Sequence, residues 1–136
     1  FDTYEIGAYT FMLLSLLYPN LKYSQKGFHQ DHMHPYAGFE ESKIANLKLP
    51  DGSIIDDVRK DEWRRRRNTL ANLQLLEGRE NERKNATPLV DWIKVIANSE
   101  NAKYMPSDSS FELSHFEDFM DKRQRLMSDA LKAILL

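Results

Sequence analysis

The sequence predicts an α+β domain that is mostly helical. Two short strand-like stretches, residues 28–33 and 72–76, are each followed by a turn signal, Pro35 or Gly78. Longer stretches around them carry apolar residues at helical spacing. A chain of 136 residues fits one compact domain and leaves little room for a second.

Five helical segments are expected around these strands. The first ends before Pro19, and the fourth breaks near Thr87 because Pro88 cannot continue a regular helix. The last is amphipathic, and we expect its inward face to carry Phe116, Phe119, Met120, Leu126, Met127, Leu131 and Ile134. In chain order the segments are residues 3–18, 41–47, 55–67, 80–97 and 111–135.

Composition excludes several classes of site. The chain has no cysteine, so disulfides and cysteine-ligated metals are ruled out and a metal site must use His, Asp, Glu or Asn. The net charge is −2, but residues 59–84 hold nine Lys and Arg against five acidic residues. A local basic region on an acidic body suits a confined contact with phosphates.

The beginning of the chain carries its longest apolar run, Phe11–Tyr18. This run is about half as long as a membrane span needs, and it lacks the flanks of a signal peptide. The sequence therefore predicts no membrane partner and an intracellular protein. Because the chain begins at Phe1, we expect the helix within residues 1–20 to continue from an upstream domain.

One adjacent pair, Asp31 and His32, has the chemistry of a hydrolytic site. A carboxylate is a hard ligand suited to Mg²⁺ or Mn²⁺, and a neutral imidazole is a suitable general base near pH 7. Neighbouring side chains of a strand point to opposite faces, so both line one cleft only if the strand is distorted or ends there.

Three motifs in order give this pair a specific resemblance. They are Asp31-His-Met-His-Pro35, Asn68-Thr-Leu-Ala-Asn72-Leu-Gln-Leu-Leu76 and Asn81-Glu-Arg-Lys84. Together they resemble the HNH domain at the C-terminus of GmrSD-type modification-dependent restriction enzymes. They are also similar to the HNH domain of CRISPR effector nucleases. The resemblance covers about residues 28–95, and Ala71 departs from it where the family usually has Gly.

The resemblance implies a ββα-metal (His-Me finger) core within residues 28–97, with flanking helices that include residues 111–136. It implies DNA cleavage with one Mg²⁺, or Mn²⁺, leaving 5′-phosphate and 3′-hydroxyl ends. In the catalytic set, His32 would be the general base and Asn72 would pin the loop that orients it. Asp31 and Asn81 would hold the metal.

Contacts with DNA are expected from residues near these motifs: His34, Arg66, Arg67, Arg83 and Lys84. The resemblance further implies the nuclease part of a prokaryotic, cytoplasmic defence protein. Its partner would be an upstream nucleotide-hydrolysing or sensing domain or subunit, and an oligomer is possible.

Two other functions remain open from the residues alone. One is a catalytically silent DNA-binding module with the same fold. The other is a structural domain that binds a transition metal through His29, His32 and His34, since alternating histidines can ligate Zn²⁺. We interpret Asn68 as a turn residue and His115 as structural.

Overall fold

The computed structural model describes residues 5–21 and 27–136, and the expected α+β, mostly helical class is confirmed. Two strands and six helices follow one another in the described parts of the chain. The strands are β1 (Phe28–His32) and β2 (Leu73–Glu77). The helices are α1 (Ala8–Leu17), α2 (Glu41–Ile44), α3 (Asp57–Arg66), α4 (Gly78–Lys84), α5 (Leu89–Ile96) and α6 (Phe116–Leu135).

The two strands pair antiparallel although about 40 residues separate them in the chain. Asp31 lies opposite Gln74, and His32 lies opposite Leu73. Helix α4 begins at Gly78, directly after β2, and packs against both strands. The strands and α4 therefore form one unit in the chain order strand, strand, helix, and this unit positions the end of β1.

Several expected helix boundaries differ from the structure, and the last helix begins at Phe116, five residues later than expected. Helix α1 begins at Ala8 because Glu5 forms a β-bridge with Thr69 and Ile6 N donates to the carbonyl of Asn68. The part of the expected first helix within residues 1–4 lies outside the described residues. Gly78 was expected in a turn but is the first residue of α4.

The predicted break near Thr87 is confirmed. Helix α4 ends at Lys84 and α5 begins at Leu89, directly after Pro88. Between them Asn85 has a φ of 43°, a left-handed conformation that Asn tolerates better than most residues. This turn carries the end of α4 back towards the end of β1.

Two apolar clusters lie on opposite faces of the sheet. Because side chains alternate along a strand, Leu76 joins a cluster with Trp63, Trp92 and Phe116, while Leu75 joins the other. The second cluster also contains residues of α1 and the later part of α6. Both tryptophans are therefore core residues.

Helix α6 buries most of the residues that were predicted for its inward face, and it buries an arginine in addition. Leu126 and Ile134 are 41% and 47% exposed, so their expected burial is wrong. Arg123 occupies the interior instead, because it lies three or four residues from Met120, Phe119 and Met127 on the buried stripe.

The guanidinium of Arg123 fixes the segment that leads into β2. It donates to the carbonyls of Ala71 and Leu73 at 2.7 and 2.9 Å and to the hydroxyl of Tyr18 at 2.7 Å. A buried charge needs such partners, and these hold the chain in place just before the strand.

Within the described parts of the chain, none of the helices combines the length and the apolar character needed to cross a membrane.

Candidate active site

A cleft of about 210 Å³ lies where β1 ends. Asp31 and His32 come from the strand, Tyr36 comes from the 3₁₀ turn Tyr36–Phe39, and Lys84 and Asn85 come from the end of α4. Both members of the adjacent pair line this one cleft because regular pairing stops at His32. The strand therefore ends at this pair, which is one of the two conditions under which neighbouring side chains can line one cleft.

The His32 imidazole is held through one of its two nitrogens. Its Nε2 lies 2.8 Å from the Oδ1 of Asn68. Since that oxygen only accepts hydrogen bonds, Nε2 carries the proton and Nδ1 carries the free electron pair. Burial lowers the pKa of His32, and the bond to Asn68 and the charge of Asp31 partly oppose this effect. His32 is therefore neutral at pH 7 with one basic nitrogen.

Asn68 is the residue of this site that sequence reasoning missed. It lies in the turn between α3 and β2, where its backbone N–H bonds the carbonyl of Arg65 and its carbonyl accepts from Ile6. These bonds fix the position of its side chain opposite His32. Its only sequence signal was its place four residues before Asn72, which did not distinguish it from an ordinary turn residue.

Asn72 joins the loop after β1 to the segment before β2. It is fully buried, its Oδ1 accepts from His34 N at 2.9 Å, and its Nδ2 donates to the carbonyls of His34 and Arg67 at 3.0 and 2.9 Å. Its backbone carbonyl also accepts from Met33 N at 2.7 Å. Because the amide is used within the protein, Asn72 is a positioning residue and not a catalytic one.

The carboxylate of Asp31 faces a buried cation. Its Oδ2 lies 3.3 Å from the Nζ of Lys84 and 3.4 Å from the Nε2 of Gln74. Lys84 is fully buried, and burial lowers its pKa while Asp31 acts in the opposite direction. Lys84 is therefore a counter-ion within the protein, which disagrees with its expected contact with a DNA phosphate.

Among the described residues that line the cleft, Asp31 is the one carboxylate, so a divalent ion there would have few protein ligands. Asn81 does not line the cleft, but it lies three residues before Lys84 and so on the same face of α4. The Oε1 of Gln74, across the sheet from Asp31, is buried without a hydrogen-bond partner. Within the described residues no group of three His, Asp or Glu could hold a metal. Mg²⁺ commonly accepts one carboxylate together with waters and a phosphate.

Arg67 supplies an unpaired cation beside the cleft. Its guanidinium carbon lies 3.5 Å from the ring centroid of Tyr36, which lines the cleft. Burial lowers the pKa of Arg67, and no carboxylate pairs with it among the residues that the structure describes. Arg83, on the last turn of α4, is exposed. These two arginines remain available to a phosphate backbone.

Most of the basic segment is used inside the domain. Arg66 is only 6% exposed and pairs with Asp121 at 3.0 Å, so it does not match its expected contact with DNA. Arg59 pairs with Glu117 at 2.7 Å. Lys60 and Arg64 share Glu41 at 2.8 and 3.2 Å. The excess charge seen in the sequence is therefore largely an ion-pair network between helices.

The three neighbouring histidines have different environments. His34 is 2% exposed and packs edge-on against Phe116 and Phe119, with ring centroids 5.5 and 4.9 Å apart. Burial lowers the pKa of His34 to about 3, so it is no cation for phosphate at neutral pH. His29 is exposed near Gly78 at the start of α4. The expected His29–His32–His34 metal set therefore gains no support.

Comparison of the chain with protein-family models gave no match, and comparison with curated proteins gave none either. Geometry alone therefore defines the class of this domain. It is a helical α+β domain in which a strand end and the end of a helix bring an oriented imidazole and a carboxylate into one cleft.

Proposed function

We propose that this chain is a metal-dependent DNA endonuclease domain with a ββα-metal core made of β1, β2 and α4. One observation carries the proposal: the Nε2 of His32 is held at 2.8 Å by Asn68 in the cleft that also contains Asp31. A general base needs a fixed tautomer, a pKa below the working pH and a neighbouring site for an anion. His32 meets the first two conditions, and Arg67 supports the third.

The residues of this chain would act in an ordered way. Asn68 keeps the proton on Nε2, so Nδ1 of His32 takes the proton from the attacking water. Asn72 holds the loop after His32 against the segment before β2, which keeps the imidazole in place. Arg67 binds the phosphate beside the cleft and offsets its negative charge.

Asp31 and Asn81 would hold one Mg²⁺, with Mn²⁺ as a substitute. When bound, the ion would supply stabilisation of the charge that develops on the phosphate and leaving oxygen. Asp31 must then share its charge between the ion and Lys84, because Nζ of Lys84 lies 3.3 Å from Oδ2. We therefore expect weak metal binding that strengthens when DNA phosphate is present.

The products would be 5′-phosphate and 3′-hydroxyl ends. The biological setting we propose is a prokaryotic, cytoplasmic restriction or defence protein. In it an upstream nucleotide-hydrolysing or sensing domain or subunit would direct this domain to DNA.

Nicking of a supercoiled plasmid tests the proposal. The wild-type chain is incubated with Mg²⁺, with Mn²⁺ or with EDTA and compared with His32→Ala and His29→Ala. His29 provides a matched control, because it lies on the same strand but is exposed and does not line the cleft. We expect metal-dependent nicking that falls about 10²- to 10⁴-fold in His32→Ala and stays unchanged in His29→Ala. Equal nicking by the two variants would show that His32 is not the general base.

The Lys84–Asp31 ion pair favours one alternative, a silent DNA-binding module. A buried ammonium beside the carboxylate neutralises the charge that would attract a metal. This alternative predicts salt-dependent DNA binding that needs no metal, together with no nicking at any Mg²⁺ or Mn²⁺ concentration. Gel-shift measurements on the same samples as the plasmid assay separate the two functions.

A further inference from the structure

A second cavity of about 230 Å³ lies next to the cleft. Its walls come from the loop after β1, the start of α5 and the segment before α6. Pro35 and Ala86 line both this cavity and the cleft, so the two spaces are neighbours. The other apolar wall residues are Gly38, Leu89, Val90, Phe111 and Leu113.

The polar groups of this cavity are few and specific. His34 lines it, and the Nε2 of His34 is buried with no hydrogen-bond partner. Buried polar atoms in folded proteins nearly always have a partner, so this nitrogen is suited to a bound molecule. Lys43 and Glu112, both exposed residues, also line the cavity and offer a donor and an acceptor.

The chemistry of the walls restricts the occupant. Apart from the exposed Lys43, a phosphate would meet an apolar wall and an uncharged ring, since burial lowers the pKa of His34 to about 3. An aliphatic chain would leave the Nε2 of His34 unpaired. A flat heterocycle fits both conditions, because its faces are apolar and its edge carries hydrogen-bonding atoms. A cavity of about 150 Å³ is known to hold benzene, so this one has room for such a ring.

The geometry points to a nucleobase pocket: the base next to the phosphate bound in the cleft enters this cavity and hydrogen-bonds the Nε2 of His34. This inference rests on the proposed function, because the cleft must hold a nucleic-acid phosphate. Pro35 and Ala86 separate the two spaces, so one nucleotide spans them with its phosphate on one side and its base on the other. Enzymes that do chemistry on a base take it out of its stack into such a pocket, so a pocket of this kind can hold a flipped base.

Nucleoside binding without metal tests the pocket separately from cleavage. The four 2′-deoxynucleosides are titrated to about millimolar concentration into the whole chain while NMR follows the methyl groups of Ala86, Val90 and Leu113. We expect saturable shifts at these methyls for at least one nucleoside. The sugar 2-deoxyribose, which lacks a base, should cause none.

Cavity-filling variants give the test its control. Val90→Trp places a large ring in the cavity, whereas Val95→Trp makes the same change on the same helix at a residue that is 69% exposed and outside the cavity. We expect binding to weaken at least about tenfold in Val90→Trp and to change less than about twofold in Val95→Trp. Gly38→Val is a second, smaller filler, since an added Cβ there meets only Leu113 at 3.9 Å.

His34→Phe removes the nitrogen but keeps an aromatic ring against Phe116 and Phe119. We expect about tenfold weaker nucleoside binding in this folded variant.

Absence of methyl shifts with all four nucleosides, or equal weakening by both tryptophan variants, would overturn the pocket while leaving plasmid nicking intact. Nucleoside binding by a chain that nicks no plasmid would support the nucleobase pocket and refute the proposed endonuclease activity.

Discussion

Two groups of charged residues in this domain have similar composition but different environments. Between α3 and α6, Arg59 contacts both carboxylate oxygens of Glu117, and Trp63 Nε1 donates to the same group at 2.8 Å. Around the end of β1, the buried Lys84 has only a 3.3 Å contact with Asp31, and Arg67 stacks on Tyr36. The first group is matched within the protein and stabilises it. In the second, Lys84 is the counter-ion of Asp31 and Arg67 has no carboxylate partner among the described residues, so Arg67 is the cation left for a ligand.

This contrast explains why a basic stretch of sequence does not define a DNA surface. Four arginines, residues 64–67, follow one another at the end of α3, yet Arg66 pairs with Asp121 and Arg67 stacks on Tyr36. Consecutive residues on a helix point in different directions, so their partners differ. The predictions below separate residues that stabilise the domain from residues that act at the cleft.

The largest effect on stability is expected at Arg123. Arg123→Met leaves the carbonyls of Ala71 and Leu73 without their donor, and breaking such a buried charged network costs about 3–5 kcal/mol of the free energy of unfolding. Chemical denaturation measures this loss. Arg125→Met, two residues further along α6 at an exposed position, should change the free energy of unfolding by less than about 0.5 kcal/mol. Similar effects of the two substitutions would refute the role of Arg123.

The next effect is the pH dependence that His34 gives to stability. Its pKa falls from 6.5 to about 3 in the folded protein, so below pH 6.5 the unfolded chain binds a proton that the folded chain does not. Stability from this group is complete above pH 6.5 and is lost as the pH falls towards 3. The expected slope is about 1.4 kcal/mol per pH unit between pH 6 and 4.

Urea denaturation at several pH values, compared between the wild type and His34→Phe, isolates this contribution from that of the carboxylates. In His34→Phe the slope of the free energy of unfolding against pH should be smaller by about 1.4 kcal/mol per pH unit between pH 6 and 4. Parallel curves for the two proteins would show that His34 is not held neutral in the folded state.

The smallest effect distinguishes two adjacent arginines. Arg67→Gln should weaken DNA binding about tenfold and lower the slope of log affinity against log salt by about one, with little change in stability. Arg66→Gln should lower stability, because its buried guanidinium pairs with Asp121, and leave DNA affinity nearly unchanged. Fluorescence anisotropy with a labelled duplex, together with thermal melting, checks both variants. The reverse pattern would exchange the roles assigned to the two residues.

Local features of the fold could be predicted from the sequence. Short stretches bounded by Pro35 and Gly78 marked the region of both strands, and Pro88 marked the break between α4 and α5. That Asp31 and His32 line one cleft could also be predicted, because the two residues are adjacent at the end of a strand, whereas their role in chemistry stays a prediction. These predictions succeeded because each depends on residues close together in the chain.

The supporting contacts could not be predicted because they join distant parts of the chain. Asn68 bonds His32 across 36 residues, and Arg123 reaches Ala71 across 52. Nothing in the composition near Lys84 indicated that it would be buried against Asp31. Such pairings depend on how helices pack, which periodicity alone does not determine.

Chemical rescue of His32→Gly tests most directly whether this imidazole activates water. The substitution leaves space for a free imidazole in the cleft beside Asn68. Our account predicts that Mg²⁺-dependent plasmid nicking falls at least about hundredfold and is partly restored by added imidazole as its neutral form increases with pH. Nicking by His32→Gly at the wild-type rate, or a loss that no imidazole concentration restores, would contradict the account.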